Sequence, residues 1–250
     1  MNPKANNCLY SFLYLFALYL AIRLLPLTKW CGSLLWLSKL LLILLFAVLI
    51  CLEIYESRKL QFSFPKKKHV SFFLLLPLTI GCISNFLYCL TFQVSQNVSI
   101  SALFSLDVIS SFLGVVIEEI LFRYFFIAFL DLFLKEEKRK PFYIILFSSF
   151  AFSLMHCINF FGNNPASVLL QIGYTFLLGL VFGYLTLSFS CLTIAVLGHF
   201  LFNFLNTDLF LCFYSLIIDY KYVLFSLGIG LFVFFYLLLI YHLNQRKQNE

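Results

Sequence analysis

Long apolar runs separated by short polar breaks set the pattern of the chain. Runs at 8–27, 33–55, 70–92, 102–134, 142–159, 166–188, 190–207 and 221–243 stand out. Each falls in or above the range of about 17–25 residues that a helix needs to cross the hydrocarbon of a bilayer. Eight transmembrane helices are therefore predicted, an all-α polytopic membrane helix bundle. It divides into 1–100 with helices one to three, 101–207 with helices four to seven as the core, and 208–250 with the last helix and a tail. Residues 208–220 are apolar but too short to cross, which predicts a half-buried loop or a re-entrant piece. The fourth run is the longest; its 33 residues make a helix of about 50 Å, which must tilt or protrude. No internal repeat or inverted symmetry points to a transporter built from two halves.

The breaks alternate in charge. Glu56–His69 carries five Lys or Arg and Lys135–Lys140 carries four, whereas Gln93–Asn97 and Phe161–Pro165 carry none. With Lys4, Arg246 and Lys247, twelve basic residues fall on one side, against Arg23, Lys29, Lys39 and Lys221 on the other. Basic loops stay in the cytoplasm, so both termini are expected there, and the alternation supports eight crossings independently of hydropathy. Lys4 followed by an apolar run resembles a secretory leader. Leu20-Ala21-Ile22-Arg23 is the wrong chemistry for cleavage, however, and a retained first span is expected.

Composition agrees with this reading. The chain is 62% hydrophobic and 11% charged, with a mean hydropathy of +0.98, against roughly 45–50% apolar and 25% charged in soluble domains. Its 250 residues leave no room for a separate soluble domain, and no basic, aromatic-interleaved surface is long enough to take nucleic acid. Eight cysteines lie scattered without a C-x-x-C pair. Most behave as small hydrophobes, and Cys157, beside His156, has no second thiol at ligand spacing.

Against this background a few polar residues at membrane depth need explaining. Each ionised side chain near the bilayer centre costs about 2.5–3.5 kcal/mol. Glu118, Glu119 and Arg123, in the middle of the fourth run, must therefore face a protein interior or a wet cavity and have partners. Glu119 and Arg123 are four apart and pair on one helix face. Glu118, about 100° around from Glu119, has no cation at that spacing and is left for general acid–base work. In the fifth run Phe152 and His156 share a face, as do His199 and Asn203 in the seventh. Singly, an intramembrane His or Asn commonly just hydrogen-bonds a neighbouring helix, and a Glu pair fits a proton relay equally well. His69, in a basic loop, and His242, at a helix end, are expected to be solvated or interfacial. Gly179 and Gly183 form a small-xxx-small pattern that lets helix backbones approach.

Taken in order, Glu118-Glu119-x-x-x-Arg123, Phe152-x-x-x-His156 and His199-x-x-x-Asn203 resemble the CAAX-prenyl endopeptidase and bacteriocin-processing family of intramembrane proteases (CPBP, or Abi). The resemblance covers about residues 100–207, and the flanking runs match only as hydrophobic helices. It implies an intramembrane endopeptidase similar to CAAX prenyl protease 2, acting on a peptide or lipidated protein in the bilayer. By that resemblance Glu118 and His156 hold and activate a water, while His199 and Asn203 stabilise the oxyanion. Arg123 locks Glu119, and Phe152 packs beside the site.

Glu118, His156 and His199 are also a set that zinc accepts as ligands with an open water position. With no carboxylate evident behind either histidine, the metal-free, glutamic-type version is favoured, with no cofactor. The alternative reading is a non-catalytic membrane immunity or proton-coupled transport protein using the same cluster. No His-Glu-x-x-His, Gly-x-Ser-x-Gly, Gly-x-Ser-Gly or Gly-x-Gly-Asp occurs, so zincin, serine and aspartyl chemistries lack support. Abundant Phe, Lys and Asn with short loops fit a bacterial plasma membrane, where bacteriocin processing or self-immunity are the expected roles.

Overall fold

The computed structural model describes residues 3–24, 40–41, 44–45, 48, 71–92, 94, 106–134, 139–189, 191–214 and 219–249. Among the described residues there are seven helices and no strand. They are α1 (Pro3–Leu24), α2 (Ser71–Phe92), α3, α4 (Lys140–Met155), α5 (Pro165–Phe189), α6 and α7 (Tyr220–Asn249). Helix α3 runs through Leu106–Glu119, a π-helical segment Ile120–Phe125, and Phe126–Phe133. Helix α6 likewise runs through Leu192–Asn203, a π-helical segment Phe204–Leu209, and Phe210–Phe213. At its end α4 tightens into a 3₁₀ turn, His156–Phe161.

Seven of the eight predicted runs correspond to these helices. The second, 33–55, lies outside the described residues except at 40–41, 44–45 and 48, as does the basic loop with His69. Among the described residues Lys140–Phe161, Pro165–Phe189 and Tyr220–Ile240 are long and apolar enough to cross a membrane. Leu9–Leu24, Leu76–Phe92 and Leu192–Thr207 are shorter apolar helices. The count of eight stays an expectation of the charge alternation. One expectation changes form: the stretch after residue 207 begins as helix, because α6 continues to Phe213 with Phe210 fully buried.

Helix α3 is the axis of the bundle. Gly114–Phe125 is buried on every side, as suits a helical stretch that is apolar all round apart from Glu118, Glu119 and Arg123. Against it lies α1, whose Phe12, Leu15, Tyr19 and Ile22 recur at three- and four-residue spacing and join the same core as Ile117, Leu121 and Phe122. The Phe12 ring sits 5.6 Å from Phe122 and 4.8 Å from Phe126.

Helices α4 and α5 form the most closely packed pair. A Cβ at Gly179 would stand 2.9 Å from the Ser149 Cβ, and one at Gly183 would stand 3.4 Å from Ile145. The small-xxx-small pattern is thus where two backbones meet. The turn between them is set by Asn164, whose Oδ1 accepts the Ala166 N–H at 2.9 Å, with Pro165 in the first turn of α5. Helix α6 packs on α2, α3 and α5, and α7 covers α2 and α5. Large apolar side chains such as Tyr14, Phe150, Leu169 and Phe235 point outward, the surface a lipid environment accommodates.

Candidate active site

All three motifs lie where a helix changes pitch. Glu119 is the last α-helical residue before the π segment of α3, in which the Phe126 N–H reaches back to the Leu121 carbonyl. His156 opens the 3₁₀ turn of α4, and Asn203 precedes the π segment of α6. Such departures re-aim the side chains of a single turn and are frequent at functional sites.

The polar groups converge from α3, α4 and α6. Glu119 and Arg123 are both fully buried, and the Arg123 Nε lies 3.4 Å from the Glu119 Oε2. The guanidinium covers the Phe152 ring, with Cζ 4.7 Å from its centroid. Its N–H groups find no hydrogen-bond acceptor among the described residues. The other Glu119 oxygen, Oε1, accepts from the His199 Nδ1–H at 2.9 Å. Across the ring, the His199 Nε2 stands 3.9 Å from the Glu118 Oε2. His199 thus joins both motif glutamates. Phe182 stacks on its face at 5.5 Å and Phe152 meets it edge-on at 5.6 Å.

His156 touches the same Phe152 ring, 5.2 Å between centroids, and its Nδ1 lies 3.0 Å from the Phe152 carbonyl. A carbonyl only accepts, so Nδ1 carries the proton, and in its neutral form the ring presents a lone pair at Nε2. Asn203 sits one turn beyond His199, half-buried, and takes no hydrogen-bond partner among the described residues.

Two expectations are corrected. Glu118 does not lack a cation. Its Oε1 accepts from the Tyr19 hydroxyl, and the Arg23 Nη2 lies 3.4 Å from the same oxygen. Both partners come from α1; a rule built on four-residue spacing within one helix cannot see them. Nor is His199 without a carboxylate behind it, since Glu119 holds its Nδ1, whereas the Nδ1 of His156 meets only the Phe152 carbonyl.

With Glu119 behind His199, the histidines no longer speak against zinc. Both histidines use Nδ1 internally and have Nε2 left for an ion. Nevertheless, among the described residues no three His, Cys, Asp or Glu side chains come together as a metal-holding group. One Glu118 oxygen is already engaged by Tyr19 and Arg23.

A second polar cluster was missed. Asn206 Nδ2 donates to the Gly81 carbonyl at 2.8 Å and to the Phe202 carbonyl at 3.1 Å, and Oδ1 accepts the Asn85 N–H at 3.3 Å. Asn85 Nδ2 donates to the Asn206 carbonyl at 3.0 Å, and the Tyr222 hydroxyl donates to the Asn85 Oδ1 at 3.1 Å. These bonds tie α2, α6 and α7 together. Two asparagines in apolar runs were the available signal.

Residues 100–205 match the family model described as Type II CAAX prenyl endopeptidase Rce1-like. This stretch is similar to that family. It contains the three motifs, agrees with the CPBP resemblance, and leaves α1, α2 and α7 outside the match. No curated protein and no solved structure matches the chain. The family so described is one of CAAX prenyl endopeptidases, and the match spans less than half of the chain.

Proposed function

We propose that the chain is an intramembrane endopeptidase that cleaves a membrane-associated peptide or protein with a water held by Glu118 and His156, without a metal. The observation that supports it best is the position of His199, joined to Glu119 on one side and facing Glu118 on the other. In this reading 101–207 carries the chemistry, with 1–100 and 208–250 as flanking membrane helices. Glu118 Oε2 takes a proton from the water as its oxygen attacks the scissile carbonyl carbon. The tetrahedral oxyanion meets the His199 ring and the Asn203 amide, which has no hydrogen-bond partner among the described residues. Glu118 then returns the proton to the departing amine as the C–N bond breaks. Glu119 and Arg123 orient the His199 ring, and Phe152 separates the two imidazoles.

The setting is a bacterial plasma membrane with both termini cytoplasmic, and the roles are maturation of a small peptide or self-immunity to a bacteriocin. The test is hydrolysis of an internally quenched, C-terminally prenylated CAAX peptide by protein reconstituted in vesicles. Glu118→Gln is expected to lower kcat by about 10²–10⁴-fold, the usual worth of a general base, with an unchanged melting curve. Wild-type turnover in that variant ends the proposal. Activity lost to a chelator and restored by zinc overturns the metal-free mechanism. Bacteriocin protection that survives alanine at Glu118, His156 and His199 together transfers the chain to the non-catalytic class.

A further inference from the structure

Glu118 is gripped from outside the Rce1-like stretch, and the grip is one-sided. Tyr19 and Arg23 both reach Oε1, whereas Oε2 faces His199. We infer that α1 completes the active site: Tyr19 and Arg23 are positioning residues that fix the Glu118 carboxylate so that Oε2 is the oxygen presented to the water. The inference rests on the hydrolytic reading above and adds to it two residues that lie beyond the matched segment 100–205.

The geometry carries the argument in three steps. The last torsion of a glutamate is broad and roughly two-fold, so an unheld carboxylate turns freely and exchanges its oxygens. A base that must meet a water within hydrogen-bond reach gains from having that freedom removed beforehand. Here it is removed by a pair locked to each other. The Arg23 Nε donates to the Tyr19 oxygen at 3.0 Å, and the guanidinium lies over the Tyr19 ring at 5.6 Å. With its oxygen accepting from Arg23, the Tyr19 hydroxyl has its single proton left for Glu118.

Placement follows from the same four-residue spacing that pairs Glu119 with Arg123. Tyr19 and Arg23 share one face of α1, with Tyr19 at 1% exposure inside the core around α3 and Arg23 half-exposed at the helix end. Each motif glutamate therefore has its own arginine, one from its own helix and one from α1. Arg123 holds the glutamate that orients His199, and Arg23 steadies the one that handles the proton.

The experiment compares Tyr19→Phe, Arg23→Gln and the double variant on the same quenched prenylated peptide, with kcat and KM determined separately. Loss of one hydroxyl is expected to lower kcat by roughly 10- to 100-fold, the scale of an ångström-sized misplacement of a reacting group, with KM unchanged. The double variant is expected to fall no further than Tyr19→Phe, because Arg23 acts largely through Tyr19. If Tyr19→Phe melts early, Arg23→Gln on the half-exposed side carries the same test, with Arg23→Lys recovering part of the rate. Wild-type cleavage together with an unchanged kcat in Tyr19→Phe and Arg23→Gln overturns the aiming role alone. Absence of cleavage by the wild type overturns the hydrolytic reading and the aiming role with it.

Discussion

Two buried polar clusters lie within two turns of each other on α6, and they are built on opposite terms. Around Asn206 every partner is neutral, and both amide protons of its side chain are bonded to main-chain carbonyls. Around His199 the groups are Glu118, Glu119 and Arg123, and the arginine keeps its N–H groups out of hydrogen bonds among the described residues. A saturated neutral network holds helices in register. A buried charged one with donors left over is a poor way to gain stability, because taking two charges out of water offsets most of their attraction. The contrast separates the part of α6 that fastens α2 and α7 from the part set aside for chemistry.

Removing half of the charged cluster should break this contrast most strongly after the loss of Glu118 itself. Arg123→Met leaves the Glu119 carboxylate buried without its cation, which typically destabilises by about 3–5 kcal/mol. The double variant Glu119→Gln/Arg123→Met should recover part of that loss, since no lone charge remains. Unfolding in mixed detergent micelles reads both. A wild-type melting curve for Arg123→Met would mean that the ion pair is not what neutralises Glu119.

In the neutral cluster the same measurements should reverse their roles. Asn206→Ala removes the side-chain links to Gly81, Phe202 and Asn85, and interhelical bonds of this kind are worth about 1–2 kcal/mol at most in membranes. Stability is expected to fall by that order while kcat on the quenched peptide stays near wild type. A large kcat loss at wild-type stability would show that the two clusters act as one.

The same comparison shows what the sequence made legible. The helical class, the close approach at Gly179 and the places of the motif residues followed from hydropathy, small-residue spacing and four-residue pairing. The Glu119–Arg123 ion pair survives although Arg123 lies in the π segment, because Glu119 stands at its very start. The pitch changes were not legible, since one inserted residue does not disturb a run that is apolar on every face. Nor were Tyr19 and Arg23: Tyr19 reads as one more aromatic in an apolar run, and Arg23 as an ordinary loop charge. Their meaning appears only when α1 is laid against α3. Asn206 was passed over because Asn203 completed a recognisable pattern one turn earlier, while the partners of Asn206 lie on helices far away in sequence.

The mildest test sits at the edge of the neutral cluster. Asp219 Oδ1 accepts the Tyr222 N–H at 2.8 Å, capping α7, and the Tyr88 hydroxyl at 3.0 Å. The Tyr222 N–H first, then the Tyr88 hydroxyl and the Lys221 charge, hold this carboxyl below its ordinary value of 3.8. A folded-state pKa below the unfolded one means that the contribution is complete above the unfolded value. It disappears as pH falls through the folded one. The melting temperature should therefore decline slightly on acidification from about pH 5 to pH 2 through this group. Asp219→Asn keeps a good capping oxygen but has no proton to gain, so its decline should be shallower than that of the wild type. Parallel declines would assign the acid sensitivity to other carboxylates and leave the Asp219 cap indifferent to its charge.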